Sequence, residues 1–299
     1  MSSPQAAAVG TAAALYAADA AYRAMIAQTS LTVVRALVAG WNDVDSNDIA
    51  GSSRVWLQTA IEAVLTGRTD ASRIADVYTR TVRQFVLPQA PAWTPPPAEP
   101  PNVEQIQNSL IYTGLATTAR DLARAEATRR AAQSAEPVDP SGFAPDPNSS
   151  DRDLAGARQR IMAEGIARAA GAATRHVTTG GRDKMVLNVT SDTLARGWVR
   201  TTAAGCCYYC AMLASRGPVY KQDSFSSSNG RFQGAGEQKV HDNCGCGLRP
   251  WYEAGEDVPE RVDELSDLWA TSTTGFSGDR AILAFRRAYE GRGTPTAGR

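Results

Sequence analysis

The sequence predicts a mainly helical α+β protein: an N-terminal helical region, a long helical arm and a small C-terminal α+β domain around a Cys/His cluster. Three observations predict it. Apolar residues recur at spacings of three and four over most of the chain, the period of one helix face. Two proline-rich stretches, 88–101 and 136–150, interrupt that pattern. Short β-prone strings and all five cysteines are confined to the last third. The expected divisions are an N-terminal helical region at 1–87, a Pro-rich linker at 88–101, a helical arm at 102–180, a cluster domain at 181–255 and a helical tail at 256–299.

The first helix is expected over Ala6 to Ala39, with Leu15, Tyr22, Met25, Ile26, Val33, Val34, Leu37 and Val38 as its apolar positions and Thr29–Ser30 as a weak point. Trp41-Asn42-Asp43 begins a turn. A second helix is expected over Ser53 to Leu65 and is stopped by Gly67. A third runs from Ala71 to Leu87, with Ile74, Val77, Tyr78, Val82 and Phe85 in one stripe. Pro88 to Pro101 holds seven prolines, which lack a backbone donor and push the preceding residue out of helix, so this stretch is extended. Val103 to Gln133 is a long helix. Another is capped by Asp151 or Asp153 and runs to about Ala173, and a separate one covers Asp183 to Ala195. Gly197 to Thr202 is β-prone, Tyr209 to Ser215 a short helix ended by Arg216-Gly217-Pro218, and Val219-Tyr220 and Leu248 to Tyr252 are short strands. Two tail helices carry Val262, Leu265, Leu268 and Trp269, then Ile282, Leu283, Phe285 and Tyr289, and Gly275 to Gly278 separates them.

Cations and anions balance at 31 each, so total charge makes no argument for nucleic acid. Residues 151–250 hold 14 Lys/Arg against 8 Asp/Glu, a mild basic excess whose plain reading is a solvated face. No apolar run reaches the roughly 18–20 residues that span a bilayer, and the first ten residues do not form a signal peptide. The expected compartment is reducing cytoplasm, where clustered cysteines favour a metal over a disulfide framework.

Cys206, Cys207, Cys210, Cys244 and Cys246 fall within 41 residues, and His241, one of two histidines, stands three before Cys244. A C-x2-C turn brings two sulfurs within reach of one ion, and a second knuckle supplies the rest of a tetrahedral set. Thiolate and imidazole donors suit zinc, and four protein ligands make the ion structural. The candidate ligands are Cys207, Cys210 and Cys244, with His241 or Cys246 as the fourth. Cys206 is a bystander, a shifted Cys206–Cys210 pairing being the alternative. A disulfide between the knuckles is a competing use of the same sulfurs. A Cys nucleophile, Cys207 or Cys210 with His241 as base, has no recognisable orienting residue or oxyanion motif beside it. There is no P-loop, no G-x-S-x-G and no H-E-x-x-H, and the lone His176 reads as a surface or core residue.

Gly197 to Trp251 resembles the phage Mu F-type (MuF-like) minor head protein domain. The parts that carry the likeness are Trp198-Val199-Arg200, Cys207-Tyr208-Tyr209-Cys210, Ala211 to Gly217, Tyr220, and His241-Asp242-Asn243-Cys244-Gly245-Cys246 leading to Pro250. The wording is most similar to the actinobacteriophage branch labelled VG15-like or capsid maturation protein. The resemblance implies a minor capsid, head-morphogenesis protein encoded near the portal and held inside the capsid in a few copies. It implies portal, scaffold or major capsid protein as partners, with double-stranded DNA as a further contact during packaging or ejection, and no membrane. It places the protein in the virion after assembly in the host cytoplasm. Some relatives carry a protease label, so capsid maturation protease is the alternative; no catalytic set in this sequence supports it.

Overall fold

The computed structural model describes residues 4–134, 149–202, 205–218, 246–252 and 259–291. The described elements are α1 (Pro4–Trp41), α2 (Ile49–Val86), α3 (Val103–Leu110), a π-helical segment (Ile111–Ala116), α4 (Thr117–Ser134), α5 (Ser149–Ser191), β1 (Gly197–Thr201), α6 (Tyr208–Ala214), β2 (Gly247–Trp251), α7 (Glu260–Ser272) and α8 (Gly278–Gly291). The fold is mainly helical α+β, as the sequence predicts.

Among the described residues, helices are longer than the local signals suggest. α1 has no break at Thr29–Ser30; α2 runs unbroken through Gly67; α5 joins the two helices expected on either side of Gly180 and Gly181. The physical reason at 180–181 is packing. A Cβ on Gly180 would stand 2.8 Å from the Arg68 carbonyl oxygen, and one on Gly181 would stand 3.1 Å from the Tyr22 hydroxyl. These glycines let α2 and α1 approach α5; they do not end it. Gly217 and Gly275, which do follow helix ends, have positive φ (65° and 81°) and open space where a Cβ would go. Gly180→Ala is therefore expected to destabilise by about 1–3 kcal/mol, although Ala ordinarily stabilises a helix interior relative to Gly. Urea unfolding reads this directly, and a stabilised variant would refute the close approach.

The described chain forms two compact units, one of residues 1–29, 68–101 and 177–299, the other of 30–67 and 102–176. In the second, Trp41 meets Trp56 edge-on at 4.8 Å, and their indole N–H groups donate to the carbonyls of Met162 and Leu37. Asp48 caps α2 by accepting from Gly51 N–H at 2.9 Å, and Asn102 caps α3 by accepting from Gln105 N–H. The long helix expected over Val103 to Gln133 is present with a π-helical turn, where Gly114 lies against Ala169 of α5. His176 is buried, a core residue.

The first unit contains the sheet. Leu15, Tyr22, Ala75, Tyr78, Val82, Met185, Val189, Trp198, Leu248 and Tyr252 form one apolar core, in which Tyr22 and Tyr78 stack at 4.5 Å. The buried line of α2 is thus Ala71, Ala75, Tyr78 and Val82. Val77 and Phe85, expected in the stripe, are 52 % and 39 % exposed. On α1, Met25 and Val38 likewise face out. Residues 12–41 of α1 are, by length and composition, long and apolar enough to cross a bilayer, which the reading of apolar runs missed because polar residues punctuate an Ala-rich segment. In this fold Leu15, Asp19 and Tyr22 of that helix are buried in the unit.

The proline-rich stretch opens with a turn, Ala90 N–H donating to the Leu87 carbonyl, instead of extending from Pro88, and residues 91–101 belong to no helix or strand. Its carbonyls have no helix or sheet to join, and cations supply their donors: Arg83 reaches Pro91 at 2.9 Å and also pairs with Asp192 at 2.8 Å, while Lys184 donates to Pro96 and pairs with Asp76 at 3.1 Å. Strand β1 pairs antiparallel with β2, Gly197 opposite Trp251 and Thr201 opposite Gly247. Both strands are buried along their whole length, which a lone two-stranded ribbon needs to persist. The expected strand at Val219-Tyr220 lies outside the described residues.

Candidate functional site

The two strands carry the cysteine knuckles. Cys207 follows β1 by six positions, and Cys246 immediately precedes Gly247, which pairs with the last residue of β1. The register therefore brings Cys246 back towards the start of the first knuckle. Cys207 has extended backbone (φ −64°, ψ 153°) and caps α6, its sulfur accepting from the Cys210 N–H at 3.4 Å. Helix α6 is set in turn by Ala211 to Ala214, which pack with Leu265, Leu268, Phe285 and Tyr289 of α7 and α8.

Cys210 and Cys246 are buried against one another, with Cys206 and Cys207 half-buried alongside. Three of the five candidate ligands, Cys207, Cys210 and Cys246, thus share one cluster. His241 and Cys244 lie outside the described residues. Among the described residues, no group of three or more His, Cys, Asp or Glu is placed to hold a metal ion. Soft sulfur donors suit zinc by chemistry, but the three described sulfurs do not by themselves form a metal-holding group. Cys206 is engaged elsewhere: its sulfur lies 3.3 Å from the Tyr289 hydroxyl, which donates to the Cys206 carbonyl at 2.7 Å.

Sequence reasoning missed two participants. Arg200, fully buried on β1, donates to the Cys246 sulfur at 2.8 Å. Arg182 of α5, 2 % exposed, donates to the Cys246 carbonyl through Nε (3.1 Å) and Nη2 (2.9 Å), and to Thr178 through Nη1. The available signal was weak: Arg200 follows Trp198 and Val199 in a β-prone string, and nothing local marks Arg182. Burial pushes the Tyr209 phenol up to about 12 against the opposing pull of Arg200 and Arg216, so this neighbour stays protonated and is no base for a cysteine.

The same burial bears on the basic excess of residues 151–250. Arg182, Lys184, Arg200 and Arg249 are all inside, out of reach of a phosphate backbone. Arg168 pairs with Asp121 at 3.1 Å. On α4, Arg129 and Arg130 hold Glu126, whose carboxyl is pulled down to about 2, chiefly by the Arg129 hydrogen bond. Five of the 14 cations of residues 151–250 are thus buried or paired within the fold.

The family described as VG15 protein matches residues 16–272, from α1 to the end of α7. No curated protein and no solved structure matches the chain.

Proposed function

This chain belongs to the VG15 protein family, a phage family, and on that premise we propose that it is a minor capsid, head-morphogenesis protein with a structural zinc-type Cys/His site. The observation that supports the structural reading is how the cysteines are used. Cys207 caps a helix, Cys206 is tied to Tyr289, and Cys246 is gripped by two arginines, so the cluster is part of the scaffold that joins the hairpin to helices α6 and α8. A sulfur committed to such bonds, or to an ion, is not a poised nucleophile. The proposed role is assembly of the procapsid near the portal, against portal, scaffold or major capsid protein, in the capsid interior and, during assembly, in the host cytoplasm. Packaging or ejection of DNA is a further stage at which it would act.

Two experiments test this. Protein purified without chelator is expected to carry one zinc per chain, lost on Cys207→Ser or Cys210→Ser; a metal-free wild-type chain would remove the zinc part of the reading. In phage, a null allele is expected to give aberrant or unfilled heads, and the protein to sediment with procapsids. Normal heads in its absence would end the assembly role. Head-protein processing abolished by a Cys207→Ser variant that still folds and assembles would instead favour a capsid maturation protease. If DNA is a direct ligand, its affinity must fall steeply with salt as counterions are released.

A further inference from the structure

The proline-rich segment has an inner and an outer edge. Of residues 91–101, eight are prolines or stand directly before one. Proline fixes its own φ near −65° and bars its predecessor from helix, which leaves polyproline II or extended backbone. In polyproline II, a helix of three residues per turn, positions 91, 94, 97 and 100 share one edge and 93 and 96 another. Burial follows that period: Pro91, Thr94, Pro97 and Pro100 are all exposed, whereas Trp93 and Pro96 are half-buried. The inner side is pinned. Arg83 donates to the Pro91 carbonyl at 2.9 Å and its guanidinium lies 6.0 Å from the centre of the Trp93 ring, while Lys184 donates to the Pro96 carbonyl. Both cations are held in turn by carboxylates, Arg83 by Asp192 at 2.8 Å and Lys184 by Asp76 at 3.1 Å. These contacts order the segment in advance, so a partner on the outer edge does not have to order it.

Resting on the assembly reading above, we infer that this outer edge is the surface by which the chain docks on a capsid protein that presents an aromatic-lined groove. A proline ring offers apolar surface and no N–H, so it cannot extend a sheet edge. It fits between aromatic rings whose N–H or O–H groups donate to neighbouring carbonyls. Pro97-Ala98-Glu99-Pro100 sets two exposed prolines at the three-residue spacing that such grooves read. Glu99, exposed between them, fixes the charge expected of the partner, a cation at the rim of the groove. Residues 88–101 carry that one carboxylate and no cation, so they give a phosphate backbone nothing to pair with. The occupant is therefore a protein and not DNA.

The test uses the full chain in phage-infected cells. Pro97→Ala combined with Pro100→Ala removes both anchors at exposed positions. The double variant is expected to keep the parent's thermal midpoint and to enter procapsids at a level roughly 10-fold lower, the effect of truncating anchors at an interface. A benzophenone side chain placed at position 94 is expected to cross-link to portal, scaffold or major capsid protein, at a segment that contains Trp or Tyr. Parent-level entry of the double variant overturns the inference and leaves the assembly role standing. So does a position-94 product with DNA or with a second copy of the chain, or no product in procapsids. Normal heads in the absence of the protein overturn the assembly role and this inference with it. If the double variant misfolds, the position-94 product still decides, because it is read in a chain with every proline in place.

Discussion

Trp198→Ala is expected to destabilise the protein by about 3–5 kcal/mol, the usual range for deleting a buried large aromatic. Trp198 is 1 % exposed on β1 and packs in the same core as Tyr78, Met185, Val189, Leu248 and Tyr252. A two-stranded ribbon has little stability of its own, so this side chain does much to attach the hairpin to α2 and α5. The loss is a large share of the roughly 5–15 kcal/mol that holds a typical domain folded. Since Cys246 stands directly before β2, the cysteine cluster should loosen with the hairpin, and Cys246 should become reactive to alkylating reagents at denaturant concentrations where the parent chain is protected. Val77→Ala, at a site 52 % exposed on α2, is the control and should stay within about 0.5 kcal/mol. A Trp198→Ala loss below about 1 kcal/mol would mean that the hairpin is held by something else.

Asp19→Ala is the second large effect. Asp19 on α1 accepts a 2.5 Å hydrogen bond from the Tyr78 hydroxyl on α2 and lies 3.7 Å from Arg249 on β2, all three being buried. Truncation strips a carboxylate from a buried guanidinium, a change that typically destabilises by about 3–5 kcal/mol. Tyr78→Phe, which removes the hydrogen bond and leaves the ion pair, should lose about 1.5–3 kcal/mol. Burial raises the Asp19 carboxyl above its ordinary 3.8, outweighing the hydrogen bond from Tyr78 and the charge of Arg249. With the folded value above the unfolded one, protonation favours the folded state. The corresponding stability is fully present below pH 3.8 and is lost as pH rises through the folded value. Asp19→Asn, neutral at every pH, should remove that slope and destabilise less than Asp19→Ala. Chemical denaturation across pH 3 to 7 measures both, and identical pH profiles for the parent and Asp19→Asn would refute this account of Asp19.

The readable part of this protein is its local chemistry. Helical periodicity, the interruption of helix at the prolines, the two short strands at Gly197–Thr201 and Gly247–Trp251, the helix after Cys207 and the break at Gly275–Gly278 follow from properties of neighbouring residues, and the structure has each of them. The knuckle spacing is local too, and two of its cysteines, 207 and 210, meet through a hydrogen bond from the Cys210 backbone N–H to the Cys207 sulfur.

Tertiary packing decided the rest. Whether a glycine ends a helix depends on whether another helix needs the space of its missing side chain: Gly217 and Gly275 face nothing and turn, whereas Gly180 and Gly181 face Arg68 and Tyr22 and stay helical. Which apolar residues of α2 are core depends on where α1 and α5 lie, so Ala75 is buried while Val77 is not. The arginines on Cys246 come from 46 and 64 positions away, and no pattern of neighbouring residues encodes a bond between side chains so distant in sequence. Propensity and spacing act over a few residues; burial and charge pairing act across whatever the completed fold brings together.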